Sequence, residues 1–175
     1  MGLVLRSHFM VGVSLTCILL PHSIWLADFV SWMLLGVHLL GITVYLDRAD
    51  AWVWLATAHH FYLAPLLVIV FILHGSYGPA ILPAAVIMCL MLTIASRAML
   101  SAGENVNYAF RLLPSVDQSF LKWVNALGPL PYLVVLNAFV IATMLLPTSA
   151  ILRTIARQAD SERAVAAEDI DHPLK

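Results

Sequence analysis

The sequence predicts an all-helical protein, a transmembrane bundle that crosses the bilayer about five times and carries one short interfacial helix. Of the 175 residues, 62% are hydrophobic and 11% are charged. A soluble domain has about 25% charged residues, so this composition is too apolar for a surface that faces water. The hydrophobic residues form runs of about 20, which is the length that crosses a bilayer core. The net charge of −1 provides no basic stripe for binding nucleic acid.

Polar breaks divide the apolar sequence into the five predicted spans. The spans cover residues 9–26, 29–46, 51–73, 80–100 and 130–150, within a bundle of residues 1–152. Asp28 is predicted to mark the turn between the first two spans. Gly36 and Gly41 in the second span are interpreted as positions of close helix packing. Residues 153–175 mix acidic and basic side chains and are predicted to form a polar C-terminal tail.

The stretch of residues 116–127, between the fourth and fifth spans, alternates with helical periodicity. Phe120 and Trp123 are predicted on one face, and Asp117 and Lys122 largely on the other. This pattern is typical of a short helix in the membrane interface, with Trp123 at the depth of the headgroups. An amphipathic loop helix packed on the bundle is the alternative.

Polar residues gather at one predicted membrane face. Tyr45 and Asp47 lie in the loop after the second span, and Arg97 lies near the end of the fourth span. His60 lies about 14 Å below the same surface at the rise of an α-helix. The loop that follows Arg97 adds further polar residues: Glu104, Asn105, Asn107 and Tyr108. We expect these residues to form a cup open to that interface, whereas His22, Asp28 and His74 are expected at the opposite face.

The cup suggests chemistry on a small molecule that dissolves in the membrane. Asp47 or Glu104 is the predicted general base, and His60 is the predicted deeper acid or base. The predicted substrate-binding residues are Tyr45, Arg97, Asn105, Asn107 and Tyr108. The structural alternative is that the carboxylates pair with nearby arginines and that the asparagines cap helix ends.

No cofactor is predicted. His38 and His60 lie at depths of about 13 and 14 Å from the same face by helix rise. A bis-histidine haem b between them is therefore a minor alternative. No metal site is expected, because the sequence lacks a spaced ligand motif such as His-x-x-x-His.

Four runs of residues carry a family resemblance. They are PHSIWLADF at 21–29, LLGITVYLD at 39–47, HFYLAP at 60–65 and ENVNYAF at 104–110. Their order over about residues 10–150 resembles a family of small bacterial multipass membrane proteins without an established activity. The resemblance implies a bacterial inner membrane location. It points to Tyr45, Asp47, His60, Asn105 and Asn107, and to Asp28 across the membrane.

Two departures from the family pattern affect this expectation. Members have additional apolar sequence before the matching region, and their Gly-rich, Pro-Gln pattern is replaced after Phe110 by Arg111-Leu112-Leu113-Pro114. If that loop shapes a site in the family, the site is altered here.

Two functions of different classes are compatible with the sequence. The first is binding or transformation of a membrane-soluble small molecule in the cup. The second is that of a non-catalytic accessory subunit, which packs in the lipid bilayer against other membrane subunits or further copies of itself. The polar cup favours the first, and the absence of a nucleophile motif favours the second.

Overall fold

The computed structural model describes residues 7–74, 76–102, 108–112 and 119–171, without the side chains of His74 and residues 164–171. The regular elements of these ranges are helices, which confirms the predicted all-helical bundle. They are α1 (His8–Leu35), a 3₁₀-helix (Val44–Arg48), α2 (Ala51–Thr57), α3 (His59–His74), α4 (Ile81–Met99), α5 (Ser119–Asn125), α6 (Pro129–Val140), a π-helical turn (Ile141–Leu145) and α7 (Leu146–Asp171).

Within the described residues, four helical segments are long and apolar enough to cross a membrane. They are His8–Leu35, Ala51–Leu73, Ile81–Met99 and Pro129–Arg163. The predicted number of five spans was therefore too high by one. The error lies in the first two spans, 9–26 and 29–46, which do not form separate helices. Residues 8–35 form a single helix of 28 residues, about 42 Å long.

The predicted second span is largely non-helical because α1 ends at Gly36. Gly36 adopts a left-handed conformation with φ of 70°, and its N–H donates to the Trp32 carbonyl at 2.9 Å. This is a common way to end a helix, and glycine adopts it without a Cβ clash. Gly41 also has a positive φ, of 68°. The two glycines thus allow the chain to turn back on itself. They do not serve the close packing of two helices that was predicted for them.

Residues 36–50, called here the return segment, fold back along α1. The Tyr45 hydroxyl accepts a hydrogen bond from Trp25 Nε1 at 3.2 Å. Trp25 precedes the end of α1 by ten residues, so the return segment retraces about 15 Å of the helix. Asp50 then caps the start of α2 by accepting a hydrogen bond from Val53 N at 3.0 Å.

The second span is interrupted at Ala58, between α2 and α3. Ala58 N donates to the Leu55 carbonyl at 3.3 Å, and Phe61 N donates to the Ala58 carbonyl at 3.1 Å. These bonds have 3₁₀ spacing, which tightens a helix locally and often marks a functional position. His59 and His60 follow directly after this break.

The core is built around α1, which packs on α3, α4 and α7. Leu15 of α1 contacts a buried cluster that includes Phe71 of α3 and Leu152 of α7. Val13 packs against Ile81 and Ala85 of α4 in a second cluster. The rest of the apolar surface is largely exposed, as expected for helices that face lipid.

Short elements complete the bundle on either side of the last span. In α5, Leu121 and Val124 are buried, whereas Phe120 and Trp123 are each 57% exposed. The predicted helix 116–127 thus corresponds to residues 119–125, and residues 116–118 lie outside the described part. The predicted tail 153–175 continues α7 to Asp171. Arg163 on this extension donates to the carbonyls of Ile72 and Leu73 at 3.1 and 3.2 Å.

The four-span topology predicts which loops share a side. In a background with Cys17 and Cys89 replaced by alanine, we expect a membrane-impermeant maleimide to label His8→Cys and Ser76→Cys from one side of oriented vesicles. Ser101→Cys should label from the other side, because one span separates it from Ser76. Labelling of His8→Cys and Ser101→Cys from the same side would support five spans instead.

Candidate functional site

Asp28 is buried at the centre of the contact between α1 and the return segment. The residue is fully buried, with 0% of its surface exposed. One carboxylate oxygen accepts from Leu40 N at 2.6 Å, and the other accepts from Thr43 N at 2.8 Å and the Thr43 hydroxyl at 2.7 Å. Asp28 therefore lies at the same end of the bundle as the return segment. The expectation that it faces the opposite side was wrong, because α1 does not turn at Asp28.

His38 extends this network to the exposed side. Its Nδ1 lies 2.8 Å from the Thr43 hydroxyl oxygen, and its Nε2 lies 3.2 Å from a carboxylate oxygen of Asp47. The Thr43 hydroxyl donates its only hydrogen to Asp28 and so accepts from His38. Nδ1 of His38 therefore carries a hydrogen, and Nε2 faces Asp47. Asp47 is thus engaged by His38.

Trp25 connects the return segment to the histidines of α3. Its indole N–H bonds to Tyr45, and its ring stacks on the His60 ring with centroids 4.3 Å apart. The ring of Phe29 also stacks on Trp25, with centroids 5.3 Å apart. Two residues of the predicted cup, Tyr45 and His60, are therefore joined through a residue that the sequence argument did not select.

Three histidines converge where α1 meets the break between α2 and α3. His22, His59 and His60 each offer one ring nitrogen, and these nitrogens lie within 4.8 Å of one another. The ring centroids are 5.6 Å apart for His22 and His59, 4.5 Å for His22 and His60, and 4.1 Å for His59 and His60. Such a convergence of imidazoles can hold a metal ion or the polar group of a ligand.

The hydrogen bonds of His59 and His60 identify which nitrogen of each ring can still accept a hydrogen bond. Nδ1 of His59 lies 2.7 Å from the Ala56 carbonyl, and Nδ1 of His60 lies 3.0 Å from the Thr57 carbonyl. Each therefore carries its hydrogen on Nδ1 and leaves Nε2 as an acceptor. Nε2 of His22 is buried and has no hydrogen-bond partner among the described residues.

A groove of about 200 Å³ opens beside the histidine cluster, between α1 and α3. His22, Ser23 and His60 form its polar part. Apolar residues form the rest of its lining: Leu19, Leu26, Ala64, Pro65 and Val68. The groove is thus amphipathic, and its lining includes two of the three imidazoles.

Residues 108–112 of the loop after α4 lie at the same end of the bundle. Arg97 donates to the Ala109 carbonyl at 2.7 Å and lies over the Phe110 ring at 4.9 Å. Tyr132 donates to the Tyr108 carbonyl at 2.6 Å. Arg97 and Tyr132 therefore hold the loop backbone, which is a structural role for Arg97 in addition to the predicted binding role.

Tyr45 and Tyr108 at this end stay neutral well above ordinary pH. Burial raises the pKa of the Tyr45 phenol, although its hydrogen bonds with Trp25 and Thr57 oppose the shift. The pKa of Tyr108 is raised to about 12, mainly by burial and to a smaller extent by the nearby Tyr45 and Asp28. Both phenols can therefore donate hydrogen bonds.

The described part of the predicted cup divides into two groups. His60 and Tyr45 lie on the histidine side, whereas Asp47 pairs with His38. Glu104, Asn105 and Asn107 lie outside the described residues. For the haem alternative, the two rings have different neighbours: His38 stacks on Trp32 at 5.2 Å, whereas His60 stacks on His22 and Trp25.

Sequence reasoning did not select His22 or His59 as a site residue. His22 was expected at the opposite face, because a five-span topology separates it from the second loop. The spacing of His22 and Trp25, three residues apart in one uninterrupted helix, places both on one face of α1, but it does not predict that this face meets His59 and His60.

Comparison with protein-family models, curated proteins and solved structures found no match for this chain. The resemblance to small bacterial membrane proteins therefore stays a prediction, and the site is interpreted from its own residues.

The Asp28 network predicts a stability difference between two carboxylates that both approach His38. Asp28→Asn places an amide NH₂ group against backbone N–H donors, so we expect it to lower the free energy of unfolding by about 1.5–3 kcal/mol. Asp47→Asn is the matched control, because its side chain is 42% exposed and water can replace the lost bond. Thermal unfolding in detergent measures both. Equal shifts would contradict the assigned role of Asp28.

Proposed function

We propose that this protein binds a membrane-soluble amphiphile at one membrane face, with the polar group of the ligand at the histidine cluster. The observation that supports the proposal is the groove between α1 and α3. It is apolar along Leu19, Leu26 and Val68 and polar at His22 and His60. An amphiphile has the same division between a chain and a head.

The unpartnered Nε2 of His22 favours a ligand with a polar head. A buried acceptor without a hydrogen bond costs about 1–3 kcal/mol. The backbone of Ile18 is a hydrogen-bond partner of the same ring, so Nε2 is left as the acceptor. A hydroxyl group in the groove would donate to it and remove the cost. The proposed ligand class is therefore a long-chain molecule with a hydroxyl or similar donor.

The surroundings of the groove support access from lipid. Pro65 and Leu66 are exposed on α3, and Leu26 is partly exposed on α1. A chain lying between the two helices would contact lipid on one side and apolar side chains on the other. Trp25, which is hydrogen-bonded to Tyr45, stacks on His60. The head of the ligand would therefore meet a preorganised ring.

A second function is favoured by the apolar surface at the end of α1. Met33, Leu34 and Leu35 are 60%, 77% and 73% exposed, and Leu39 in the return segment is 64% exposed. Polar residues Asp47 and Arg48 lie in the same return segment. These side chains can pack against another membrane subunit as well as against lipid.

A photoreactive probe tests the proposed groove. We expect a diazirine derivative of hexadecanol to label the detergent-purified protein saturably, with adducts on peptides that contain Leu19 or Val68. Val68→Trp should abolish the saturable labelling, because the indole fills the groove. Peptide mass spectrometry after illumination measures the adducts.

The matched control uses a second groove, lined by apolar residues of α4 that include Met88. Met88→Trp should leave the saturable labelling unchanged, since that groove has no polar end. Loss of labelling in both variants, or labelling that rises linearly with probe concentration, would contradict an amphiphile site between α1 and α3.

A further inference from the structure

We infer that His22, His59 and His60 bind one divalent transition-metal ion, such as Zn²⁺, at the polar end of the groove. Three nitrogen ligands that lie within 4.8 Å of one another can close around a single ion. Neutral imidazole is a preferred ligand of zinc, copper, iron and nickel. The inference rests on the proposed function only for the use of the remaining coordination position.

The hydrogen bonds of the cluster prepare it for a metal. The Ala56 and Thr57 carbonyls accept from Nδ1 of His59 and His60. Backbone carbonyls commonly hold metal-ligating histidines in this way, because they fix the tautomer and orient the ring. Nε2 of His22 is also unpartnered among the described residues, so it too is available to bind an ion.

The ring separations are close to those of a shared ion. In a tetrahedral site, imidazole nitrogens about 2.1 Å from one ion lie about 3.4 Å apart, and their ring centroids lie about 5.3 Å apart. The observed centroid separations are 4.1, 4.5 and 5.6 Å. The rings of His59 and His60 would therefore turn apart by about 1 Å to bind one ion.

The helix break explains how adjacent histidines can share an ion. In a regular helix, consecutive side chains point about 100° apart and do not meet. Here 3₁₀ bonds around Ala58 interrupt the regular helix just before His59. The rings of His59 and His60 lie 4.1 Å apart.

Three histidines leave one position of a tetrahedral ion open. Sites with three protein ligands and an exchangeable fourth position are typical of metals that act on a ligand. The groove lined by Ser23 and Leu19 adjoins His22 and His60, so the fourth position would face it. The hydroxyl of the proposed amphiphile, or water, would then coordinate the ion.

Cobalt binding tests the inference directly. The protein is purified in detergent without a polyhistidine tag, stripped with a chelator and titrated with Co²⁺, whose visible absorption reports tetrahedral nitrogen ligation. We expect saturable binding of one ion per chain, with competition by Zn²⁺. His22→Ala and His60→Gln should each weaken binding at least tenfold, because losing even an outer-shell partner costs about 10–100-fold.

His38→Gln is the matched control, because His38 is a histidine of the same end that lies outside the cluster. It should leave the affinity for Co²⁺ unchanged. Size-exclusion chromatography and circular dichroism report folding of each variant, and His59→Gln replaces any variant that does not fold. Absence of saturable binding, or equal weakening by His38→Gln and His22→Ala, would overturn the inference.

The two proposals fail separately. Val68→Trp should block labelling by the hexadecanol probe and still bind Co²⁺, since Val68 is not a ligand. Saturable labelling without Co²⁺ binding would refute only the metal site. Co²⁺ binding with no saturable labelling would refute only the amphiphile site.

Discussion

The carboxylate of Asp28 holds the return segment against α1. A buried charge is costly unless it is fully hydrogen-bonded, and here two backbone N–H groups and the Thr43 hydroxyl satisfy it. Those donors belong to the part of the return segment that precedes its 3₁₀-helix, where the N–H groups of Leu40 and Thr43 bond to Asp28 instead of to a helical carbonyl. The charge and the irregular backbone therefore satisfy each other, as backbone within an apolar environment requires.

The position of the histidines follows from this contact. With the return segment fixed at Thr43, the 3₁₀-helix brings Tyr45 to the Trp25 indole, and Trp25 stacks on His60. His60 and its neighbour His59 then meet His22 one helical turn before Trp25. The Asp28 network is thus connected, through Tyr45, Trp25 and His60, to a groove that opens toward lipid.

The sequence predicted the helical class and three of the spans because their apolar runs are uninterrupted and bounded by polar turns. It failed at residues 29–46, because hydropathy does not distinguish an apolar helix from an apolar segment that folds back. Only the left-handed conformation of Gly36 and the bonds of Asp28 decide between them. Tyr45 and His60 were placed at one end by helix rise alone. The histidine cluster was not predictable, since it depends on how α1 and α3 are rotated against each other.

The contact between Arg163 and the carbonyls of Ile72 and Leu73 gives α3 a second anchor, at the end opposite to His60. A helix held at both ends cannot slide along its axis without breaking bonds at one of them. Membranes differ in thickness by several ångströms, and helices usually adjust by tilting or shifting. In this protein α3 has to tilt together with α1 and α7. The height of the imidazoles is therefore set by the protein and not by the lipid in which it lies.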